Sequence, residues 1–350
     1  MIKPDTPRMK KNLRLALIGT DSLRGKEIKG VLEKKAFPFE NITFFDADVD
    51  EEYSKLTEFR GEPKIIYPLN KNLFDMVDLI FLAEERKVNE KIIQEALPHG
   101  IWVIDLHETF AGRNDSPVIV AGINDHKIPW KSPGLISNPH PVSMILSHLL
   151  HLIDGNFGLK KCISFILQPV SAFDEFGIDE LAHQSAELLG GNSLSKNLFN
   201  KQIAFNLLSR TEAADKNGFT SVEKQIQSEI KKIFENDQLP LSLTLVQAPV
   251  FHTYSIMVHV EISKKTEIKD LRSLFNNDSY FLCDQPSESC QVSAVSAAGK
   301  DQIQIGEIKK DLVFPRSFWI WAVADNLTFG SALNGYEIAS LLNSIDSEDK

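Results

Sequence analysis

Residues 13–25 read Leu-Arg-Leu-Ala-Leu-Ile-Gly-Thr-Asp-Ser-Leu-Arg-Gly, and the fold follows from them. Leu13 to Ile18 is a near-continuous apolar run, the mark of a strand buried on both faces of a parallel sheet. Gly19 then permits a tight turn, and Ile28, Val31 and Leu32 lie at helical spacing, so a helix runs to about Lys35. Strand, glycine loop and helix in that order make the opening unit of a doubly wound α/β domain.

The pattern repeats outward from there. Ile42–Phe45, Val77–Leu82, Ile101–Ile104 and Val118–Ala121 are expected as further strands, with a helix through Val88, Ile92 and Ile93 between two of them. The run Gly134–Ile136 leads into Asn138-Pro139-His140-Pro141-Val142-Ser143, after which Met144 to Ile153 is helical. This is a strand-to-helix elbow, a place where α/β enzymes mount nucleophiles. Beyond it the periodicity changes. Tyr254, Ile256, Val258, Val260 and Ile262 alternate with other residues, which predicts a strand burying one face. Phe318–Val323 reads as an aromatic strand. Helices are expected over Ile178–Leu189, around Val222, Ile226, Ile230 and Ile233, and over Ala332–Leu342. Long alternating strands with segregated helices indicate a second, α+β domain whose open sheet face must be covered.

The chain has 350 residues, 43% hydrophobic and 25% charged, enough for two globular domains. A formal charge of -10 argues against nucleic acid or anionic membrane as the main partner. No run is long enough to span a bilayer, and residues 1–12 read as a flexible lead-in. Cys162, Cys283 and Cys290 form neither a metal pattern nor an even disulfide set, which points to a reducing, cytoplasmic setting and no metal.

The loop after the first strand faces where a dinucleotide pyrophosphate would lie on a helix N-terminus. Gly19 and Gly25 suit that task, but Ser22 places a Cβ at the middle position and Asp21 adds a repulsive carboxylate. Asp46, ending the second strand, suits an unphosphorylated ribose and would repel a 2'-phosphate, so NAD is favoured over NADP. Glu84 and Glu85 add further acids. NAD or NADP is possible by fold, with weak or absent binding expected.

Several segments together carry a family resemblance. Leu13–Gly19 with Gly25, Val31-Leu32-Glu33 and Phe37-Pro38 is similar to the opening βα unit of the aspartate-semialdehyde dehydrogenase family. Ile136–Pro141 resembles its Asn-Pro-Asn-Cys elbow, and Ala204-Phe205-Asn206, Ala324–Leu327 and Ala332-Leu333-Asn334 are similar to its later motifs. The helix Ile178-Asp179-Glu180-Leu181-Ala182 resembles a USG-1-like branch of the family. The resemblance implies a Rossmann-like, mostly parallel N-terminal domain over residues 1–138. It implies an α+β, glyceraldehyde-3-phosphate dehydrogenase-like catalytic and dimerisation domain over 139–326, and a C-terminal helix, 327–350, returning to the first domain. A homodimer is implied, with a small-molecule ligand in the interdomain cleft. Gly19, Ser22, Leu23, Gly25, Asp46 and Asn326 are implied to meet the cofactor.

The family chemistry needs a thiolate that attacks the aldehyde, a base, a cation for the substrate carboxylate and a polar group to hold the hemithioacetal. On the resemblance, the thiol position falls on Pro141, the cation on Gln247 and the base on Tyr254; Gln168 retains the holding role and Asn138 its place in the elbow. Proline has no nucleophilic atom, glutamine no charge, and a tyrosine with a pKa near 10 is a poor base at neutral pH. A non-catalytic homologue acting as a binding or regulatory homodimer is therefore expected. The alternative is an NAD(P)-dependent oxidoreductase for aspartate semialdehyde or a related small acid with altered residues. A third reading places acid–base or metal chemistry on His140 and His252, or a Ser143 nucleophile beside His140. The pair His148 and His151 has ligand-like spacing, for which packing is the plainer explanation.

Overall fold

A computed structural model describes residues 13–49, 55–70, 73–113, 115–284 and 291–344. The chain divides into two compact units, residues 1–140 with 331–350, and residues 141–330. The boundaries fall after His140 and Gly330, a few residues beyond Asn138 and Asn326, where the sequence placed them. Hydrogen bonds anchor the residues next to these boundaries. Asn138 donates its backbone N–H to the Asp105 carbonyl, and Ser331 Oγ bonds the Leu106 carbonyl, tying both to the first unit. Asn326 Oδ1 accepts from the Thr253 backbone N–H and from Ser171 Oγ, holding Asn326 in the second.

The first unit contains β1 (Arg14–Ile18), α1 (Leu23–Lys34), β2 (Asn41–Asp46), β3 (Lys55–Phe59), β4 (Glu62–Pro68), α2 (Leu73–Met76), β5 (Leu79–Leu82), α3 (Arg86–Ala96), β6 (Trp102–Asp105) and β7 (Leu135–Ser137). The sheet order is β3-β4-β2-β1-β5-β6-β7, parallel throughout except for the β3–β4 hairpin. Central strands buried on both faces are why Leu15 to Ile18 and Leu79 to Leu82 are apolar without alternation. Ile28, Val31 and Leu32 of α1 pack with Ile338, Ala339 and Leu342 in one core layer, while Leu73, Phe74, Ile92 and Ile93 fill the opposite one.

Two expectations change here. Val118–Ala121 is not a strand: Val118 makes one isolated bridge to Ser137. Asn124 and Asn334 side chains satisfy its backbone instead, accepting from Val120 and Ala121 and donating to Val118 and Ile119. A segment whose amides are met by side chains has no need of a ladder. The β3–β4 hairpin was not foreseen. It sits at the sheet edge with apolar Leu56 and Ile65 exposed, so its hydrophobic pattern does not follow its alternating burial.

The second unit contains α4 (Pro141–Phe157), β8 (Leu159–Gln168), α5 (Asp174–Leu189), α6 (Ser221–Phe234), β9 (Leu241–Gln247), β10 (Tyr254–Ile262), α7 (Ile268–Asn276), β11 (Phe281–Cys283), α8 (Ala294–Ala297), β12 (Ile303–Lys310) and β13 (Ser317–Ala324). Its sheet runs β11-β12-β13-β10-β8-β9 and is mixed. Helices α4 and α6 pack together, α4 reaching β8 and β10 and α6 reaching β9. Opposite that core face, Ile163, Phe165, Met257, Trp319 and Trp321 share the other surface of the sheet, and Ile163, Phe165 and Trp319 are exposed. Strand β10 buries more than the one face its alternation suggested: Ser255 and His259 are buried too, His259 against Trp319 and Asp311. A π-helical turn, Thr328–Leu333, leads to α9 (Asn334–Ser344), which belongs to the first unit.

Candidate functional site

The glycine loop is built by close approach. Gly19 has φ +88°, and a Cβ there would lie 2.6 Å from the Ala83 carbonyl carbon. A Cβ on Gly25 would lie 1.9 Å from the Gly19 carbonyl oxygen, so α1 can start where it does only with glycine. Ser22, placed by the sequence at the pyrophosphate, is the N-cap of α1: its Oγ accepts from Gly25 N at 3.0 Å and donates to Gly19 O at 2.8 Å. Leu23 opens the helix and is half-buried.

Asp46 ends β2 and is almost wholly buried. Its Oδ1 accepts from Asp21 N at 3.4 Å, and its Oδ2 has no hydrogen-bond partner, although Lys55 Nζ lies 3.5 Å away. Burial pushes the Asp46 carboxyl up to about 6, against the pull of Lys55. Lys55 also pairs with Asp21 at 2.8 Å and Asp48 at 3.3 Å, which raises its own pKa. No sequence signal marked this lysine, because it stands on the unread edge hairpin. Glu84 accepts the Ala47 backbone N–H at 2.9 Å. Beside Ala47 opens a cavity of about 450 Å³, lined by Leu69, Leu73, Phe74, Val88 and Ile92 with Asn70, Lys91 and Glu95.

Arg24, in the first turn of α1, is buried. Its side chain is 10% exposed, with Nη2 3.9 Å from Oε1 of Glu108, whose side chain is 14% exposed. Asp105, at the end of β6, is fully buried and accepts the His107 and Phe110 backbone N–H groups; burial raises its pKa. His140 is buried, and desolvation with the nearby Arg24 charge lowers it to about 3, so the imidazole is neutral. Asn138 donates Nδ2 to the Ser331 carbonyl and accepts from Asn334 Nδ2, which fixes the elbow to α9.

A nicotinamide dinucleotide straddles such an edge, its adenosine on the β2 side and its second nucleoside beyond β5. The bare Asp46 oxygen suits a ribose diol and the first half fits.

In the second unit Gln168, Gln247 and Tyr254 come together although the sequence separates the first two by 79 residues. Parallel pairing of β8 with β9 sets Gln168 opposite Gln247, and β10 brings Tyr254 alongside. Gln168 Nε2 donates to Gln247 Oε1 at 2.9 Å, and Tyr254 OH donates to Gln168 Oε1 at 3.2 Å. Gln247 Nε2 donates to the carbonyls of Gln168 and Ala248 at 3.0 and 3.1 Å. All three are buried, and both side-chain amides are spent on neighbours.

Pro141 opens α4 against Gly330, where an added Cβ would lie 2.6 Å from the Pro141 Cβ. Ser143 Oγ is buried with no hydrogen-bond partner, so no base is bonded to it. His252 is half-buried in the turn before β10. His148 packs on Tyr280 at 4.2 Å between ring centroids, and His151 on Phe234 at 6.4 Å, so that pair packs rather than ligates. Among the described residues no group of three His, Cys, Asp or Glu side chains could hold a metal ion. Asn326 spends its carbonyl oxygen on Thr253 and Ser171. Cys162 is buried with its thiol pushed up to about 12, Cys283 is also buried and unpaired, and Cys290 lies outside the described residues. Among the described residues no helix is long and apolar enough to cross a membrane.

Residues 14–130 match the profile of the semialdehyde dehydrogenase NAD binding domain, and residues 149–329 that of the semialdehyde dehydrogenase dimerisation domain. The chain is 30% identical to the aspartate-semialdehyde dehydrogenase of Rickettsia bellii, covering 95% of this chain and 98% of that protein. It is 27% identical to that of Aquifex aeolicus, over 94% and 97%. The crystal structure of aspartate semialdehyde dehydrogenase II from Vibrio cholerae is similar with a TM-score of 0.88 at 25% identity, covering 96% of this chain and 99% of that one. The glycine loop, the mostly parallel sheet and the mixed second sheet thus agree with the profiles and relatives, and the chain belongs to the aspartate-semialdehyde dehydrogenase family.

Proposed function

We propose that this chain is a non-catalytic member of its family, of the USG-1-like branch, acting in the cytoplasm as a binding or regulatory homodimer. The observation that carries this reading is the closed Gln168–Gln247–Tyr254 network. A substrate carboxylate needs a charged, available donor, and a hemithioacetal needs a free one. Here both amides are buried and already bonded, so recruiting either would leave a buried polar atom unpaired, at about 1–3 kcal/mol each. Pro141, at the position the resemblance gives to the thiol, seals its place against Gly330. Tyr254, at the base position, donates its proton to Gln168 rather than standing ready to accept one.

On this reading any dinucleotide binds weakly, with NAD favoured over NADP because the buried carboxylate of Asp46 opposes a 2'-phosphate. The apolar outer surface of the second sheet, Ile163, Phe165 and Trp319, supports a homodimer formed through that face. The competing reading, an NAD(P)-dependent oxidoreductase of aspartate semialdehyde or a related small acid, draws on the names of the relatives. One assay separates them. Purified chain is incubated with aspartate semialdehyde, phosphate or arsenate, and NAD or NADP, beside the Vibrio cholerae enzyme as a positive control. No turnover above the heat-denatured chain is expected; reproducible turnover with either cofactor overturns the proposal.

A further inference from the structure

We propose that the turn between β12 and β13, Leu312-Val313-Phe314, anchors the homodimer. It seats in a hollow on the outer sheet face of a second copy, and the second copy's turn seats in its own hollow. The inference rests on the homodimer reading above and names the contact that holds it.

The turn is apolar, exposed and fixed in place. Leu312 is 100% exposed, Val313 77% and Phe314 54%. Asp311 clamps it: Oδ1 accepts Val313 N at 2.8 Å and Phe314 N at 2.9 Å. Its Oδ2 accepts Trp319 Nε1 at 2.9 Å and lies 3.2 Å from His259 Nε2. The Asp311 backbone N–H donates to the Ser317 carbonyl at 2.9 Å, and Arg316 closes the turn at φ +64°. His259 and Trp319 are opposite one another in the β10–β13 register and share the outer face with Ile163. The clamp therefore draws the turn onto that face, with the Phe314 ring 6.1 Å from the His259 ring. An apolar side chain already fixed in water binds without the ordering cost that a mobile loop carries.

The same face carries the hollow, about 360 Å³, lined by Met257 and Trp319 with Glu307 and Lys309. Glu307 and Lys309 pair with each other at 2.9 Å, which leaves the rim without net charge. Trp319 belongs to both parts, since its indole N–H holds Asp311 and its ring lines the hollow. Turn and hollow are thus neighbours, and a two-fold axis passing between them sets each turn over the partner's hollow. The turn does not fill its own hollow, because Leu312 is fully exposed in the single chain. A second copy is the occupant for two reasons. Both parts are continuous with the exposed Ile163, Phe165 and Trp319, and residues 149–329 match a dimerisation domain.

Sedimentation velocity of the full-length chain over a dilution series tests this, with far-ultraviolet circular dichroism as the check on folding. The unaltered chain should be a dimer at micromolar concentration. Leu312→Lys should raise the dimer dissociation constant about hundredfold, roughly tenfold for each of the two turns, with an unchanged spectrum. Met257→Glu, in the hollow, should weaken the dimer by a similar factor. Mixing the two altered chains should restore dimers. One contact then has its native partners, and the other pairs the new lysine with the new glutamate. Leu312→Lys dimerising within about threefold of the unaltered chain overturns the proposal, as does a mixture that stays as weak as its components; both leave the homodimer reading standing. An unaltered chain that is monomeric at about 100 µM overturns the homodimer reading and the proposal with it.

Discussion

A single carboxylate, Asp46, shows how a binding position trades against stability. It is buried among Lys55 from β3, Asp21 after β1, Glu84 after β5 and the neighbouring Asp48, and burial outweighs Lys55 to raise its pKa to about 6. The folded state therefore binds more protons than the unfolded chain between pH 4 and 6. Stability associated with this group is present at low pH and is lost as pH rises through about 6. Asp46→Asn removes that dependence. Its melting temperature relative to the unaltered chain should be higher at pH 8 than at pH 5, by a few degrees, as followed by circular dichroism. A difference that does not change with pH would remove the buried-carboxylate account. Asp46 was legible in the sequence, as an acid ending a strand; Lys55 was not. The hairpin bearing it puts Leu56 and Ile65 on its exposed face and the Lys55 and Lys64 side chains on the other, so hydrophobicity does not follow the alternating burial there.

Helix and strand ends decide whether larger pieces hold their register. Thr220 caps α6 through the Glu223 backbone N–H, and Glu223 reaches back to Thr220 N, a reciprocal capping box. Glu223 Oε1 also accepts Leu245 N at 3.0 Å, bonding α6 to β9, the strand that carries Gln247. Glu223→Ala should cost about 2–3 kcal/mol, because it removes a cap and leaves a buried strand amide unpaired. Thr220→Ala, losing the cap alone, should cost about 1 kcal/mol. Equal costs in urea denaturation would mean the Leu245 bond contributes nothing. A tighter packing argument applies at α4. Gly330→Ala drives a Cβ to within 2.6 Å of Pro141 Cβ and should destabilise by about 1–3 kcal/mol. The amphipathic stripe of α6 was readable at Val222, Ile226, Ile230 and Ile233. Segment 118–121 misled for a physical reason: its apolar run is buried like a strand, yet the side chains of Asn124, just beyond it, and Asn334, far along the chain, satisfy its backbone, which periodicity does not register. The Gln168–Gln247 pair was hidden in the same way, since register between β8 and β9 is set by tertiary packing.

For the molecule as a whole, two neutral imidazoles weaken the fold in acid. His140 is desolvated beside Arg24, and His148 is packed between Tyr280 and Phe329 with His151 nearby on the same helix; each is lowered to about 3. Both positions were noted in the sequence as candidate chemical groups, but burial, which sequence does not display, makes them neutral core residues. An unfolded histidine titrates near 6.5, so between that pH and 3 the unfolded chain takes up protons that the folded chain refuses. Stability contributed by each imidazole is full above about 6.5 and falls as pH drops. At pH 5 the loss is about 2 kcal/mol for each histidine. Asp46 acts in the opposite sense over pH 4–6, regaining about 1 kcal/mol between pH 7 and pH 5. Asp105, also raised by burial, acts in the same sense as Asp46, so each imidazole is read singly, from what one substitution does to the stability difference between pH 7.5 and pH 5 in urea unfolding. His148→Phe keeps a ring against Tyr280 and removes the buried nitrogen. It should reduce that pH difference by about 2 kcal/mol, and the same substitution leaving the difference intact would show that His148 does not titrate on unfolding.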